Sequence, residues 1–369
     1  MKKNLSKNST PDYVFIFLLV LLTTFGLVML MSASSDLAKL QFGDSFYYLK
    51  HQILFGLLPG IVGFILGFFL NYKTWQKASL YLLIIGVFFL LLVFTPLGFK
   101  AYGSDRWLHL GSFGFQPSEF VKIALILYIA SWLSKTSSRR KSFKEGTLPF
   151  FVILLMVIVP IVLQPATSTA VLITSAALIM YLIAGADLKS FAFLVIIGLL
   201  GLALLVAITP YRFQRVFGFL HPSSDTLGKT YQINQSLIAI GSGGVSGVGY
   251  GRSTTKLNYL PEPMGDSIFA VIAEELGFVG SVFLILLFLM FVWRGIKIGR
   301  HAPDMFSELA VIGFVSVIGL QAFVHMGAVS GVLPFTGVPL PFTSYGGTAL
   351  AVFLTMSGIV ANVSRYSRL

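Results

Sequence analysis

The chain contains no cysteine, which removes disulfides, thiolate metal sites and thiol nucleophiles from consideration. Charge is scarce too: 11% of its 369 residues are Asp, Glu, Lys or Arg, against about 25% in a soluble domain. Acids are the rarer sign, 14 against 26 basic residues, for a formal net charge of +12. The basic residues are scattered between apolar runs and form no basic domain, so nucleic acid is excluded as a partner. No internal repeat is visible either, and the inverted-repeat signature of many transporters is missing with it. What remains is apolar: 56% hydrophobic residues with 35 Phe and 36 Gly, and a mean hydropathy of +0.86. Gly is commoner in membrane helices than in soluble ones, and the composition is that of a membrane protein.

A membrane span needs about 20 mostly apolar residues. Ten stretches are expected to cross: Tyr13–Met31, Gln52–Leu70, Ala78–Thr95, Phe115–Leu133, Leu148–Leu163, Ser168–Ala184, Ser190–Ile208, Ile268–Trp293, Ser307–Ala328 and Thr348–Val363. The expected fold is an all-α polytopic membrane protein, a single membrane domain over residues 1–369. With both termini in the cytoplasm, 16 of the 26 basic residues fall on the cytoplasmic side, against four in the short loops opposite. That bias sets the orientation. The first span exceeds the 7–15-residue apolar core of a signal peptide, so it is expected to stay as an anchor.

Outside the membrane the dominant feature is a segment of nearly 60 residues, Thr209 to Ser267, between spans seven and eight; loops of that length usually have a function. It contains "GSGGVSGVGYGRS", Gly241 to Ser253, which fails as a nucleotide loop. Ser246 stands where a P-loop needs glycine and Arg252 where it needs lysine. Two readings stay open: a turn-rich loop needing positive φ, or backbone lying close to a ligand, with Arg252 and Lys256 supplying charge. The last outside segment, residues 329–347, includes "GVLPFTGVPLPFTSYGG", too rich in Pro and Gly for a helix and too apolar for a solvated linker. It is expected to be a re-entrant or plugging loop, buried in protein or lining a cavity.

Acids in such a chain are costly. Asp266, in "MGDSIF" after Pro261 and Pro263, is expected at a helix N-cap or first turn. It is either a cap favoured by the helix dipole or a carboxylate at the mouth of a water-accessible cavity, able to take a proton. On a helix, Glu274 would lie about 80° round from Asp266 and Glu275 about 180°, both about 12 Å deeper. The three cannot form one cluster. Glu119 and Lys122, three apart, can pair on one helix face. With Glu274 and Glu275 they indicate a polar interior, a cavity or a pathway.

Several motifs resemble those of the SEDS family (FtsW, RodA and SpoVE), in order along essentially the whole chain: "DRWLHLG…FQPSEFVK" (Asp105 to Lys122), "HPSSDTLGKTYQINQSLIAIGSGGVSGVGYG" (His221 to Gly251), "PEPMGDSIFAVIAEELGF" and "PFTG…LPFTSYGGTA". The resemblance, nearest to FtsW, implies a ten-span peptidoglycan glycosyltransferase acting on lipid II outside the cytoplasmic membrane. It also implies a class B penicillin-binding protein as partner, with other divisome or elongasome proteins. The family's essential aspartate falls on Asp266. Met264-Gly265 stand where the family usually has His-Thr, Ala166 where an acid is common, His325 where Asn is frequent and Thr343 where an aliphatic is usual.

What the resemblance implies chemically is an inverting displacement, with Asp266 as base on the acceptor hydroxyl. Cations must receive the departing pyrophosphate: Arg106, Arg212, Arg215, Lys229, Arg252 and Lys256 are the candidates, and Gln235 and Ser344 join them as substrate-binding residues from the quoted motifs. A divalent cation, Mg or Mn, could share that task, although no ligand cluster demands one. The rival classes are a lipid II flippase using Glu119, Lys122, Glu274 and Glu275, and a divisome scaffold. "GRSTTKLNYLPE" favours a role in division over elongation.

Overall fold

A computed structural model describes residues 10–101, 104–110, 113–136, 142–220, 231–257 and 259–367. Helix α1 (Tyr13–Phe42) starts at Asp12, whose side chain accepts the Phe15 N–H, and stops at Gly43, where a φ of 71° closes the last turn. α2 (Tyr47–Gln52) runs through a π turn, Ile53–Leu57, into α3 (Leu58–Phe69). A second π turn, Phe143–Thr147, leads into α6 (Leu148–Leu163). Each π turn sits just ahead of a proline, Pro59 and Pro149, whose missing N–H breaks the regular ladder there.

The remaining helices are α4 (Tyr72–Leu92), α5 (Pro117–Lys135), α7 (Thr167–Ile183), α8 (Leu188–Ile208), α9 (Pro210–Leu220), α10 (Tyr231–Ser242), α11 (Ile268–Arg300), α12 (Met305–Val329) and α13 (Gly347–Ser364). Among the described residues, nine helical runs are long and apolar enough to cross a membrane, and the apolar α7, of 17 residues, is shorter. α5, α12 and α13 form the buried centre, and α8 is almost wholly exposed. α3 lies tight along α13 because Gly60, Gly63 and Gly67 face Leu354, Thr355 and the Gly358–Ile359 backbone, the small-residue packing of membrane helices.

The all-α expectation needs correcting. Three strands form an antiparallel meander, β1 (Gly98–Ala101), β2 (Ser104–Leu110) and β3 (Phe113–Phe115). Here aromatic and polar residues alternate between glycines, a period of two that a hydropathy window averages away. The long segment after α8 also holds two helices, α9 and α10. α1 continues past Met31 through "SASSDLAKLQF" to Phe42.

One end of the bundle is locked by polar contacts. Arg294 Nε lies 2.8 Å from Asp12 Oδ2, the Asp12 N–H donates to Ser364 Oγ at 2.9 Å, and Tyr72 OH donates to Asp304 at 2.8 Å. The other end carries the sheet, residues 209–220, 231–257 and 259–267, and the non-helical stretch 331–346.

That second end is organised by a break in α11. Gly277 has φ 66° and ψ −162°, interrupting the helix just after Glu274 and Glu275. Residues 243–249 dock into the break. The Val248 and Gly249 N–H groups donate to the Glu274 and Glu275 carbonyls at 3.0 Å, and the Phe278 N–H donates back to Gly244 at 2.9 Å. A Cβ on Gly243 or Gly247 would collide with the α11 backbone. The glycine run therefore lies against another backbone and satisfies the carbonyls that the kink frees. Gly277→Ala forces a side chain into a left-handed backbone and onto the Gly247 N–H. We expect a loss of about 3 kcal/mol, read as a lowered thermal midpoint of the detergent-solubilised protein; an unchanged midpoint would contradict this account of the kink.

Candidate active site around Asp266

Asp266 is not a helix cap. Ser267 occupies the N-cap of α11 and makes no side-chain cap bond, so Asp266 sits one residue earlier, in a tight turn. The Gly265 and Ser267 N–H groups both return to the Glu262 carbonyl, at 3.1 and 3.2 Å. Ser267 Oγ donates to Pro261 O at 2.9 Å and accepts from Gln232 of α10 at 3.3 Å.

The stretch 331–347 holds the turn from its other side. The Tyr345 N–H donates to Met264 O at 2.8 Å, and Ser344 Oγ donates to Gly265 O at 2.7 Å. Ser344, expected to bind substrate, is buried in this backbone contact. Gly337, with φ 59°, passes so close that a Cβ there would stand 3.0 Å from Asp266 Oδ2. Met264-Gly265 thus contribute two carbonyls to the junction, which a change of side chain leaves available.

The same stretch is propped from within the bundle. His325 Nδ1 donates to Val338 O at 2.6 Å, and Gln321 Nε2 donates to Pro339 O at 2.9 Å. Gln321 Oε1 accepts from Lys122 at 2.8 Å, and Lys122 lies 2.7 Å from Glu119 with both side chains almost wholly buried. The pair does not neutralise itself in isolation. Through Gln321 it supports the backbone beside Gly337.

Glu274 and Glu275 do not join that interior, which corrects the expectation of one polar cavity. Glu274 accepts the Thr254 N–H at 3.0 Å and the hydroxyls of Ser253 and Thr255. Glu275 accepts the Ser32 hydroxyl at 2.7 Å and pairs with Lys256 at 3.1 Å. Lys256 is therefore no free cation for substrate. It is buried and also donates to the carbonyls of Ser32 and Gly251, both at 3.0 Å. Arg252 is exposed, with its aliphatic part against Gly249.

Two of the candidate arginines act on Asp266 through their charge. Burial pushes its carboxyl above the ordinary aspartate value, while the charge of Arg215 and, less strongly, that of Arg106 pull it back down. Arg215, on α9, donates to Phe335 O at 3.5 Å. Arg106, on β2, donates to the carbonyls of Gln164 and Pro165 at 3.0 and 2.7 Å. Arg212 donates to Val162 O at 3.3 Å, and Gln235 is half-buried on α10. Glu262 is raised as well, by burial and then by the charge of Asp266. Lys229 lies outside the described residues.

The arrangement is a recessed carboxylate under the charges of two arginines, held in a turn where two non-helical segments meet. Such a carboxylate can accept a proton, and the arginines can bind an anion beside it. Sequence reasoning missed Gly337, Gln321 and Tyr345. Only Gln321 had a signal, an amide in the middle of an apolar span.

Lys122→Met strands Glu119 in the buried centre, and we expect it to cost about 3–5 kcal/mol. Adding Glu119→Gln should recover much of that, read from thermal unfolding in detergent; a double variant no better than the single would contradict the pairing.

A profile of the FtsW/RodA/SpoVE cell cycle proteins matches residues 12–369. The chain is 41% identical over 364 residues to stage V sporulation protein E of Bacillus subtilis (strain 168), covering 98% of this chain and 99% of that protein. It is 38% identical over 358 residues to the probable peptidoglycan glycosyltransferase FtsW of Geobacter sp. (strain M18), covering 97% of each. Among solved structures, one described as "Structural coordination of polymerization and crosslinking by a peptidoglycan synthase complex" contains a chain 28% identical, with a TM-score of 0.79 over 97% of this chain and 99% of that one. The rod shape determining protein RodA of Thermus thermophilus is 26% identical, with a TM-score of 0.71 over 98% of each chain.

Proposed function

The chain belongs to the FtsW/RodA/SpoVE family of cell cycle proteins, and from that membership we propose that it is a peptidoglycan glycosyltransferase that polymerises lipid II at Asp266. The observation that carries this reading is the recessed Asp266 carboxylate with the charges of Arg215 and Arg106 upon it.

In this reading the nine long helices and α7 make ten spans of the bacterial cytoplasmic membrane. Both termini are cytoplasmic and Asp266 faces outward. The basic residues support it: Lys73, Lys77, Lys135, Lys144, Arg294 and Arg300 belong to the end of the bundle opposite Asp266, as a cytoplasmic face requires. The 4-hydroxyl oxygen of an acceptor GlcNAc attacks the anomeric carbon of the donor MurNAc. The bond from that carbon to the pyrophosphate breaks, and its electron pair leaves with the polyprenyl pyrophosphate. Asp266 takes the hydroxyl proton, which a carboxyl raised by burial does more readily than an ordinary aspartate. Arg106 and Arg215 receive the leaving charge.

Among the described residues no group of three or more His, Cys, Asp or Glu stands together. These residues build no all-protein cage for Mg or Mn; a cation sharing the pyrophosphate's charge would be held by one or two carboxylates and the substrate's own phosphates. A class B penicillin-binding protein that crosslinks the strand, with divisome proteins, is the partner proposed. The similarity to chains named FtsW supports division over elongation. A flippase would need mobile intramembrane charges, but Glu119 and Lys122 are paired with each other and tied to Gln321, and Glu274 and Glu275 are fixed to residues 253–256.

Asp266→Asn should lower polymerisation of labelled lipid II by purified protein about 10²–10⁴-fold while leaving folding intact; normal polymer from that variant would sink the assignment. The base works only when deprotonated, so activity falls as pH drops through its raised pKa. Arg215 holds that pKa down. Arg215→Gln should therefore move the acid limb of the pH–rate profile to higher pH, whatever it does to the maximal rate; a limb that stays or moves down would contradict the role given to Arg215.

A further inference from the structure

Beside the Asp266 turn, the ends of α1 and α2 carry a connected series of rings that the chemistry above does not use. Phe42 and Tyr47 stack with centroids 3.8 Å apart. Tyr47 meets Tyr48 edge-on at 5.5 Å, and Tyr48 meets Tyr345 edge-on at 5.2 Å. The Tyr345 hydroxyl bonds His51 Nδ1 at 2.8 Å, and its backbone N–H is the donor to Met264 O. The series thus ends two residues from Asp266. Its far end is open: Phe42 is 49% exposed and Tyr47 37%.

Polar groups edge the rings. Tyr48 OH donates to Gln41 Oε1 at 2.7 Å, and the partly desolvated Glu262 lies within electrostatic range of both Tyr48 and Asp266. The nearby Lys50 is paired with Asp44 at 2.7 Å.

Aromatic residues at this level could instead form a membrane-interface belt. The last turns of α1, with Ser34, Ser35, Asp36, Lys39 and Gln41, are too polar for hydrocarbon, so Phe42 and Tyr47 lie on the water side of the core, where a sugar can reach them. From Tyr13 to Phe42 the helix is also about 45 Å long, at 1.5 Å per residue, against a hydrocarbon core of about 30 Å.

We propose that the rings from Phe42 to Tyr345 are a carbohydrate-binding platform that holds the glycan strand beside Asp266. A pyranose presents a face of C–H groups, which packs on the electron-rich face of an aromatic ring. Its hydroxyls project from the rim, where carboxylates, amides and phenols can bond them. The cations suited to pyrophosphate, Arg106 and Arg215, come from β2 and α9. The site is divided in this way: phosphate on the arginines, sugar on the rings. The inference rests on the polymerase reading for the identity of the glycan.

The test uses the full-length protein in nanodiscs and a soluble, lipid-free GlcNAc–MurNAc tetrasaccharide as probe, with binding followed by saturation-transfer NMR. The wild type should bind. Phe42→Ala with Tyr47→Ala should bind about tenfold more weakly, Tyr47→Trp should bind like wild type, and the strands that the double variant makes from lipid II should be several-fold shorter. Asp266→Asn should still bind the tetrasaccharide while making no strand, which separates failure of the platform from failure of the catalytic assignment. Three outcomes overturn the platform: no binding by wild type, equal binding and strand length in the double variant, or a defect in the double variant confined to its association with lipid.

Discussion

Backbone that is neither helix nor sheet can be buried at the end of a membrane bundle only if something bonds its N–H and C=O groups. Two non-helical segments meet at Asp266, and the buried charges of the bundle satisfy the inner groups of both. Glu274 takes up the N–H groups of Thr254 and Thr255 and the hydroxyls of residues 253–255, while Glu275 accepts the Ser253 N–H and, with Lys256, fixes the neighbouring turn to Ser32 of α1. Gln321 and His325 do the same for residues 338 and 339, with Lys122 and Glu119 behind them. The costly buried charges are thus scaffolding. Their reward is a carboxylate held in one place without being consumed by the holding.

That division of labour sets the electrostatics. Glu119, Glu274 and Glu275 each have a cation or several donors at hydrogen-bond distance. Asp266 instead has the charges of Arg215 and Arg106 against the effect of burial, and burial dominates. Burial thus makes the carboxyl a stronger base than an ordinary aspartate, and the two arginines limit that rise. The arginines are themselves steered by backbone carbonyls: Gln164 and Pro165 for Arg106, Phe335 for Arg215.

The sequence showed the apolar runs because each is a long local signal, and it showed Asp266 because a carboxylate ahead of such a run is rare. The separation of Asp266 from Glu274 and Glu275 was also legible, since any helical geometry drives them apart. Other features were not. The meander of β1, β2 and β3 was hidden by its short strands and its glycines. Lys256 was mistaken for a free cation because its partners, Ser32 and Glu275, are distant in sequence and brought close only by the fold. The glycine run at 241–251 left two readings open. The choice between them depended on the kink at Gly277, which nothing local announces. Gly337 looked like one loop glycine among several until its neighbour proved to be Asp266.

The central claim is that Asp266 takes the proton from the acceptor sugar while Arg106 and Arg215 hold the donor's pyrophosphate. The most direct measurement is a structure of the Asp266→Asn variant with lipid II bound. The account predicts the acceptor 4-hydroxyl within about 3 Å of the residue 266 side chain, with pyrophosphate oxygens on the two arginines. A bound substrate whose sugar hydroxyl lies beyond hydrogen-bond reach of residue 266, with its phosphates elsewhere, would contradict it.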